Sequence, residues 1–450
     1  MRFFFFQAIG LLFAASLFAQ NAPKGNAALQ SGPMLGYVDM MEALVWVQTR
    51  QEAEVYVQYW EPGNPRDKKK TDPTRTQKRT GFTAKCIAGQ VEPGKTYDYQ
   101  VWINGGAVEL PYPTRFSTQK LWQWREDPPE FTVALGSCAF VNEERFDRPG
   151  RPYGGEYEIF KSIAARQPNL MLWLGDNVYY REPDWNTRTG MIHRNTHARS
   201  LPELQPLLAA THHYAIWDDH DYGPNDSDGA WAYKETALEI FEAFWGNPTT
   251  GVGGQKGITT YFQYGDVDFF LLDNRYHRTP NRCKICPNRT LLGAEQLRWL
   301  QESLAASYAP FKVVAIGGQV LTTNAAHETY INLAPAERDS LLAFIERADI
   351  KGVIFVNGDR HFSEVSALTN ARGNTVYDVT CSPLTSGVYA DAATRENNTL
   401  RVPDSIVTQR NFATLRFFGP RKERSMEISY YDMKGALIWQ KTIGPDYQLK

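Results

Sequence analysis

The spacing of hydrophobic and polar residues changes along the 450-residue chain. In the N-terminal part, apolar and polar residues alternate with a period of two in stretches such as ALVWVQTR and AEVYVQYW, a pattern typical of half-buried antiparallel strands. In the later stretch VEPGKTYDYQVWI, one face is formed by Tyr97, Tyr99, Val101 and Ile103. We therefore predict an all-β domain over residues 33–118.

The pattern differs after a polar, proline-containing segment, QKLWQWREDPPE (residues 119–130), which we interpret as a linker. Helical stretches such as GAEQLRWLQESLAAS now alternate with short apolar runs: FTVAL, NLMLWL, YAIW, KVVAIG and GVIFV. Two further stretches predict antiparallel hairpins, with turns at Gly265-Asp266 and near Lys434-Gly435. This order of elements predicts an α/β sandwich with mixed β-sheets over residues 131–450.

The N-terminus has the features of a secretory signal peptide. They are one positive charge at Arg2, an apolar run from Phe3 to Phe18, and the small residue Ala19 before QNAPKG. A membrane-spanning helix is the alternative, but the run is short and no second apolar span of membrane length follows. We predict a signal peptide over residues 1–20, no transmembrane segment, and a secreted or periplasmic protein.

Composition adds few constraints. The chain is 42% hydrophobic and 22% charged with a net charge of −2, so it lacks the basic excess that favours nucleic acid as a partner. The five cysteines are an odd number, and Cys283 and Cys286 are close enough for a local disulfide, although the sequence does not decide whether they are bridged. The sequence fixes no oligomeric state, and we expect a monomer.

Polar residues with metal-ligand chemistry recur where four of the apolar runs end. The four ends carry, in order, Ser137-Cys138, Asp176 with Tyr179, Asp218-Asp219-His220, and Asp359 with His361. Because the carboxyl ends of strands line the ligand crevice of an α/β sheet, such ends can converge on one site. One strand that ends in Gly-Asp is ordinary turn chemistry, but four ends that each carry a ligand type indicate a metal centre.

The order Gly-Asp-x-x-Tyr, Asp-Asp-His-Asp and Gly-Asp-x-His resembles the calcineurin-like metallophosphatase superfamily. The Gly-Ser-Cys stretch and the Asp-Asp-His variant are similar to its PhoD-like alkaline phosphatase and phosphodiesterase branch, as are the later stretches LLDNRYHRT, FKVVAIGGQV and CSPLTSG. The resemblance covers most of residues 33–440, because that branch also begins with a fibronectin type III-like sandwich. That sandwich is also indicated by a Pro-Gly turn before Tyr97, which resembles a tyrosine corner.

The resemblance implies which residues hold two metal ions. One ion would be bound by Cys138, Asp176, Tyr179 and His361, and the other by Asp176, Asp219 and Asp359. A phenol such as Tyr179 becomes a ligand beside a strong Lewis acid, which favours Fe³⁺, whereas a carboxylate site suits Ca²⁺. These two ions would also neutralise the ionised ligands, and Zn²⁺, Mn²⁺ or Mg²⁺ are the alternatives.

These features predict a secreted metal-dependent phosphoesterase of the alkaline phosphatase type, in which a hydroxide shared by the two ions attacks phosphorus in line. The catalytic candidates are Asp176 and His220, and His220 would protonate or hydrogen-bond the departing alkoxide. Arg194 and Arg275 are candidate phosphate clamps, because the guanidinium fork matches phosphate oxygens.

The sequence leaves two alternative functions open. They are a phospholipase D-like phosphodiesterase and a non-catalytic cell-surface binding protein. The sequence does not choose between phosphate monoesters and diesters. We interpret the remaining histidines, among them His212 and His213, as surface residues or neighbours of the site rather than ligands.

Overall fold

The computed structural model describes residues 23–450, so the predicted signal peptide over residues 1–20 lies outside the described residues. Within residues 23–450, every helix is too short or too polar to cross a bilayer. The N-terminal part contains strands β1 (Leu29–Val38), β2 (Ala43–Thr49), β3 (Glu54–Trp60), β4 (Lys69–Lys70), β5 (Thr74–Arg75), β6 (Thr83–Ala88), β7 (Thr96–Ile103), β8 (Gly106–Ala107) and β9 (Arg115–Ser117).

The remaining part of the chain is mixed α/β. Its strands are β10 (Phe131–Gly136), β11 (Leu170–Leu174), β12 (His212–Ile216), β13 (Thr260–Tyr264), β14 (Val267–Leu271), β15 (Phe311–Ala315), β16 (Val353–Asn357), β17 (Glu364–Thr369), β18 (Thr375–Thr380), β19 (Asn411–Phe418), β20 (Ser425–Asp432) and β21 (Leu437–Ile443). Its helices are α1 (Ile159–Ala165), α2 (Arg188–Arg199), α3 (Gln205–Ala210), α4 (Asp219–Tyr222), α5 (Lys234–Phe244), α6 (Ala294–Ala306), α7 (Tyr330–Leu333), α8 (Pro335–Arg347) and α9 (Ala392–Arg395).

Two large mixed sheets form the centre of this part. The first has the strand order β21-β20-β19-β10-β11-β12-β1-β2-β6, and the second has the order β13-β14-β15-β16-β18-β17. Strands β10, β11 and β12 are parallel neighbours, as are β14, β15 and β16. The predicted α/β fold with mixed sheets is confirmed, including the hairpins β13–β14 and β20–β21 at the predicted turns.

Alternating side chains explain why the second sheet is covered on both faces. In β15, Val313 belongs to the large core that also contains residues of the first sheet, whereas Val314 belongs to a separate core that contains residues of α6 and α8. Residues Ile354 and Phe355 of β16 are divided in the same way. Because successive side chains of a strand point to opposite faces, these apolar runs bury both faces of the sheet.

The N-terminal strands are connected to the first large sheet. Strand β1 pairs in parallel with β12 at Leu35 and His212, so one N-terminal sheet continues into the first large sheet. The consecutive strands β2 and β3 lie in different sheets, since β2 pairs with β1 and β6 while β3 pairs with β7. A fibronectin type III-like sandwich therefore stays a prediction for this region.

The predicted linker is tied to both sides. The Gln119 side-chain amide donates to the carbonyl oxygens of Val38 (3.2 Å) and Gln263 (2.9 Å).

The structure also contains a disulfide bond between Cys283 and Cys286, a pairing that the sequence left open.

His212 and His213 lie in the core, not at the surface. His213 Nδ1 accepts a hydrogen bond from Trp173 Nε1–H (2.9 Å), and its Nε2–H donates to the Leu207 carbonyl oxygen (3.1 Å). These partners fit the neutral ring, and burial lowers the pKa of His213 to about 3. Protonation would remove the hydrogen bond from Trp173.

We expect acid to destabilise the protein through His213. The unfolded chain binds this proton near pH 6.5, so the stability given by neutral His213 is complete above that pH and is lost as the pH falls toward 3. Between pH 7 and pH 5 the wild type should lose about 2 kcal/mol more free energy of unfolding than a His213→Gln variant. Urea unfolding at both pH values measures this difference, and parallel losses in the two proteins would contradict it.

Candidate metal centre

The site forms where four strands end. Strands β10, β11 and β12 are parallel neighbours, so their carboxyl ends meet at one edge of the first sheet. These strands are followed by Cys138, Asp176 and Asp218, respectively. Asp359 follows β16, which belongs to the second sheet. The site therefore lies between two sheets, and each sheet contributes candidate ligands.

Four candidate ligands have a left-handed backbone conformation. The φ angles are +56° at Cys138, +53° at Asp176, +67° at Asp359 and +57° at His361. For a residue with a Cβ atom this conformation costs about 1–2 kcal/mol, so it persists where surrounding contacts hold it, often at functional sites. These residues turn the chain sharply at the strand ends.

The first group of ligand atoms contains Cys138, Asp176 and His361, whose donor atoms all lie within 4.8 Å of one another. Asp176 Oδ2 is 3.7 Å from Cys138 Sγ and accepts a 3.1 Å hydrogen bond from the Tyr179 hydroxyl. His361 Nδ1–H donates to the Gly387 carbonyl oxygen at 2.5 Å, which leaves Nε2 as the ligand atom. The four residues that the resemblance assigns to one ion are thus brought together.

A serine in the stretch CSPLTSG is hydrogen-bonded to two residues of this group. Ser382 Oγ donates to Cys138 Sγ at 3.1 Å and accepts a 3.0 Å hydrogen bond from the His361 amide. One serine therefore links two candidate ligands that come from different sheets.

Two further groups of donor atoms extend the site. One contains Asp176, Asp219 and His220, and the other contains Asp218, Asp219 and Glu328, again within 4.8 Å. Asp176 thus belongs to two groups, as a bridging ligand would. Among the described residues Asp359 belongs to none of these groups, although it lines the same cleft.

The cleft has a volume of about 700 Å³. It is lined by Tyr153, Asp176, Asp219, His220, Asn225, Asp226, Asn281, His327, Glu328, Asn332, Leu333, Asp359, Arg360, His361 and Tyr389. A larger groove of about 1190 Å³, lined in part by Asp268 and Pro310, lies at the amino ends of β14 and β15 and contains none of the three groups. The ligand chemistry, not the cavity size, identifies the cleft as the candidate site.

Burial gives the acidic groups unusual pKa values. Burial and then the charge of Asp219 raise the pKa of Asp176 well above its ordinary value. Burial also raises the pKa of Asp359 and Asp218, to about 7 and about 6, and the pKa of the Cys138 thiol to about 11. Without cations, these buried groups resist ionisation.

Asp219 behaves differently. Burial opposes its ionisation, but the charges of His220 and Arg275 outweigh burial and lower the pKa of Asp219. Its Oδ2 also accepts a 2.7 Å hydrogen bond from the Asp226 amide. Asp219 is therefore a carboxylate that is ready to bind a cation.

The donor set fits metal ions. Thiol, phenol, imidazole and carboxylate groups are concentrated in one buried region, and among the described residues Asp218 Oδ2 is buried without a hydrogen-bond partner. A buried acidic cluster of this kind is stabilised when cations neutralise it. The Cys138 thiol would lose its proton on binding, so metal affinity should rise with pH.

The two candidate phosphate clamps do not lie on the cleft. The Arg194 guanidinium is buried and paired with Asp184 (2.8 Å) and Glu143 (3.0 Å). Arg275 is fully buried, and its Nε–H donates to Asp218 Oδ1 at 2.6 Å. Neither arginine lines the cleft and both guanidinium groups are paired with protein carboxylates, so the structure gives no support to the predicted phosphate contacts.

Sequence reasoning did not include several cleft residues. Asn225 and Asp226 follow the Asp-Asp-His-Asp stretch, and their polar turn GPND was a usable signal. Glu328 lies far along the chain and is paired with Arg275 and Arg278. No periodic pattern marks Glu328, because its place in the site depends on these ion pairs.

Comparison with known proteins agrees with the geometry. The profile of the PhoD-like phosphatase family matches residues 133–424, and that of a domain of unknown function (DUF7800) matches residues 26–121. Alkaline phosphatase D of Bacillus subtilis (strain 168) is 25% identical over 337 residues, which cover 62% of this chain and 53% of that protein. The alignment thus spans about half the length of this curated relative.

Solved structures show the same fold. The structure of PhoD superposes with a TM-score of 0.78 at 18% identity and covers 95% of this chain and 93% of that one. The purple acid phosphatase PPD1 of yellow lupin (Lupinus luteus) gives a TM-score of 0.65 at 12% identity, with coverage of 92% and 74%. The resemblance found in the sequence is confirmed, and the chain belongs to the PhoD-like phosphatase family.

Proposed function

We propose that this protein is a metal-dependent phosphoesterase that hydrolyses phosphate monoesters, diesters or both. The observation that carries the proposal is the position of Asp176, whose carboxylate belongs to two adjacent groups of candidate ligands. Asp219, Asp359 and His361 line the same cleft, which is wide enough for a phosphate ester. Membership in a phosphatase family supports this chemistry.

Fe³⁺ and Ca²⁺ are the metals that we propose, with Zn²⁺, Mn²⁺ or Mg²⁺ as alternatives. Cys138, Tyr179 and His361 would hold the iron together with Asp176, because a phenol and a thiol are ligands for a strong Lewis acid. Asp219 and Asp359 would hold calcium with Asp176, since calcium prefers carboxylate oxygens. Bound cations would supply Lewis acidity toward water and toward the phosphoryl oxygens.

The residues of the chain would divide the remaining work. Asp176 would fix the spacing of the two metal positions, and His220 would lie beside the leaving group. The His220 ring packs on the Tyr179 ring with centroids 4.4 Å apart, and its amide donates to Asp219 Oδ1 at 3.0 Å. Burial lowers the pKa of His220, which favours a neutral ring that donates a hydrogen bond to the departing oxygen.

A His220→Gln variant should lose more activity on substrates with a strongly basic leaving group than on substrates with a weakly basic one. For an alkyl phosphate, whose leaving group is strongly basic, kcat should fall by about 10²-fold. For p-nitrophenyl phosphate the loss should be much smaller, because p-nitrophenolate leaves without a donated proton. Steady-state kinetics on both substrates test this, with metal content as a control. Equal losses on the two substrates would remove His220 from the leaving-group position.

Two alternatives are less well supported. The lining of the cleft contains one aliphatic side chain, Leu333, among the described residues, which gives a lipid tail little apolar surface and disfavours a phospholipase D-like role. A non-catalytic binding protein would have no use for the ligand groups around Asp176 and Asp219. We also propose that the protein is secreted or periplasmic, on the basis of the signal peptide expected at residues 1–20.

The proposal is tested by assaying the purified protein on p-nitrophenyl phosphate and bis(p-nitrophenyl) phosphate. We expect metal-dependent release of nitrophenol, and the ratio of the two rates assigns the protein as a monoesterase or a diesterase. No activity on either substrate, with iron and calcium supplied, would contradict the phosphoesterase function and favour the binding protein.

A further inference from the structure

Asp221 lies next to the candidate metal centre but does not line the cleft. Its Oδ1 accepts hydrogen bonds from the backbone amides of Asn177 (2.9 Å) and Val178 (3.2 Å). Its Oδ2 accepts a hydrogen bond from the Asp218 amide at 3.0 Å. One buried carboxylate thus joins the segment that follows β11 to the segment that follows β12.

The contact with the first segment follows from the conformation of Asp176. Its φ of +53° turns the chain so that the next two amides converge on one oxygen of Asp221. Successive amides in such a turn form a concave anion-binding arrangement, and a carboxylate is a suitable occupant. Asp221 therefore stabilises the left-handed conformation of a residue that belongs to two ligand groups.

The contact with the second segment is a helix cap. Asp218 is the N-cap residue of the short helix α4, and Asp221 is the third residue of that helix. The Asp221 side chain accepts a hydrogen bond from the Asp218 backbone amide, which is the contact from the third helical residue back to the N-cap in a capping box. Asp219 and His220 lie between them, so the cap fixes the part of the chain that presents these two side chains to the cleft.

Two neighbouring hydrogen bonds connect the same segments. The Asn177 side-chain amide donates to the Ile216 carbonyl oxygen at 2.8 Å, and the Tyr180 amide donates to the His220 carbonyl oxygen at 3.1 Å. Their acceptors, Ile216 and His220, lie within five residues of Asp221 in the chain. The His220 amide also donates to Asp176 Oδ1 at 3.3 Å, and Asp221 adds a carboxylate that accepts hydrogen bonds from amides of both segments.

We propose that Asp221 is a positioning residue that sets the separation of Asp176 and Asp219 and thereby pre-organises the site for metal. This inference rests on the proposed metal-dependent function. Residues that orient metal ligands without touching the ion change metal affinity by about 10- to 100-fold when they are replaced. The same range is expected here, because Asp221 holds two ligand-bearing segments at once.

An Asp221→Asn variant separates positioning from general stability. Asparagine has the same shape but one acceptor oxygen, so its NH₂ group must face either the amides of Asn177 and Val178 or the amide of Asp218. One of the two links is then lost. We expect the affinity for Ca²⁺ and Mn²⁺, used as probe ions, to fall by about 10- to 100-fold.

Glu337 provides a matched control. Its buried carboxylate accepts hydrogen bonds from the backbone amides of Leu291, Leu292 (3.2 Å) and Gly293 (3.1 Å), and it does not line the cleft. A Glu337→Gln variant removes a comparable carboxylate from a comparable cluster of amides. It should lower the unfolding temperature while probe-ion affinity stays at the wild-type value.

The measurement is competition for each probe ion against a fluorescent chelator, together with thermal unfolding of the metal-free proteins. Weaker binding in Asp221→Asn but not in Glu337→Gln supports the positioning role. Wild-type affinity in Asp221→Asn, with a lower unfolding temperature, would overturn it. Absence of binding by the wild type would instead overturn the proposed function. If Asp221→Asn does not fold, Asp221→Glu, which keeps both acceptors, should fold and bind the ions more weakly than the wild type.

Discussion

An Asp176→Asn variant should lose phosphoesterase activity without losing metal-free stability. Its carboxylate belongs to two of the three groups of candidate ligands, so the substitution should weaken both proposed metal positions at once. We expect kcat/KM to fall by at least about 10³-fold, the upper range for removing one group that stabilises charge in a transition state. Initial rates on p-nitrophenyl phosphate and the metal content of each protein measure this effect.

The expected effect on stability has a separate cause. Burial and the charge of Asp219 raise the pKa of Asp176, so above the ordinary carboxyl pKa of 3.8 the unfolded chain ionises more easily than the metal-free fold, and the free energy of unfolding is lowered. Asparagine carries no charge and removes this destabilisation. In the presence of a chelator at pH 8, the unfolding temperature of Asp176→Asn should therefore equal or exceed that of the wild type.

An Asp184→Asn variant is a control in which the expected change in stability is a loss. Asp184 is as deeply buried as Asp176, but it is paired with Arg194 at 2.8 Å, so its charge is compensated. Removing one partner of a buried pair is destabilising by about 3–5 kcal/mol. If Asp176→Asn were destabilised in the same way, or if it kept substantial activity, the proposed role of Asp176 would be wrong.

Removing bound metal should destabilise the protein more strongly as the pH rises. Burial raises the pKa of Asp218 to about 6 and that of Asp359 to about 7 in the metal-free chain. When the folded-state pKa of a carboxyl group is raised, the free energy of unfolding of the protein falls as the pH rises from 3.8 through the raised pKa. Bound cations neutralise the carboxylates, so the metal-loaded protein should not show this loss.

Thermal unfolding with and without EDTA at pH 5, 6.5 and 8 checks this expectation. The difference in unfolding temperature should be small at pH 5 and should increase to several degrees at pH 8. An Asp359→Asn variant should show a smaller increase, because one of the titrating groups is removed. A difference that is constant over the whole pH range would show that these carboxylates are not the groups that the metal neutralises.

Much of the local structure could be predicted from the sequence because it depends on neighbouring residues. The runs NLMLWL and GVIFV became β11 and β16, and the turns at Gly265-Asp266 and near Lys434-Gly435 joined the predicted hairpins. The positions of Cys138, Asp176 and Asp359 after apolar strands were also readable, since the end of a strand is a local event. Predicting that these ends meet required the family resemblance or the sheet order.

Other features depend on contacts between distant segments. The pairing of β1 with β12 joins the N-terminal part to the first sheet, a contact that the sequence pattern did not indicate. The predicted phosphate clamps Arg194 and Arg275 are paired with buried carboxylates instead, because opposite charges in the interior must compensate each other. Periodicity carries no information about such partners.

The sequence by itself determined the strands, the hairpins and the ligand types that follow the strand ends, because hydrophobic period and turn chemistry act over a few residues. The tertiary structure alone decided that β16 presents Asp359 and His361 from the second sheet, that Glu328 joins Asp218 and Asp219, and that Asp221 links two ligand segments. The physical reason is that these groups are brought together when two sheets pack face to face, and burial there makes a charge unfavourable unless close neighbours or bound cations compensate it.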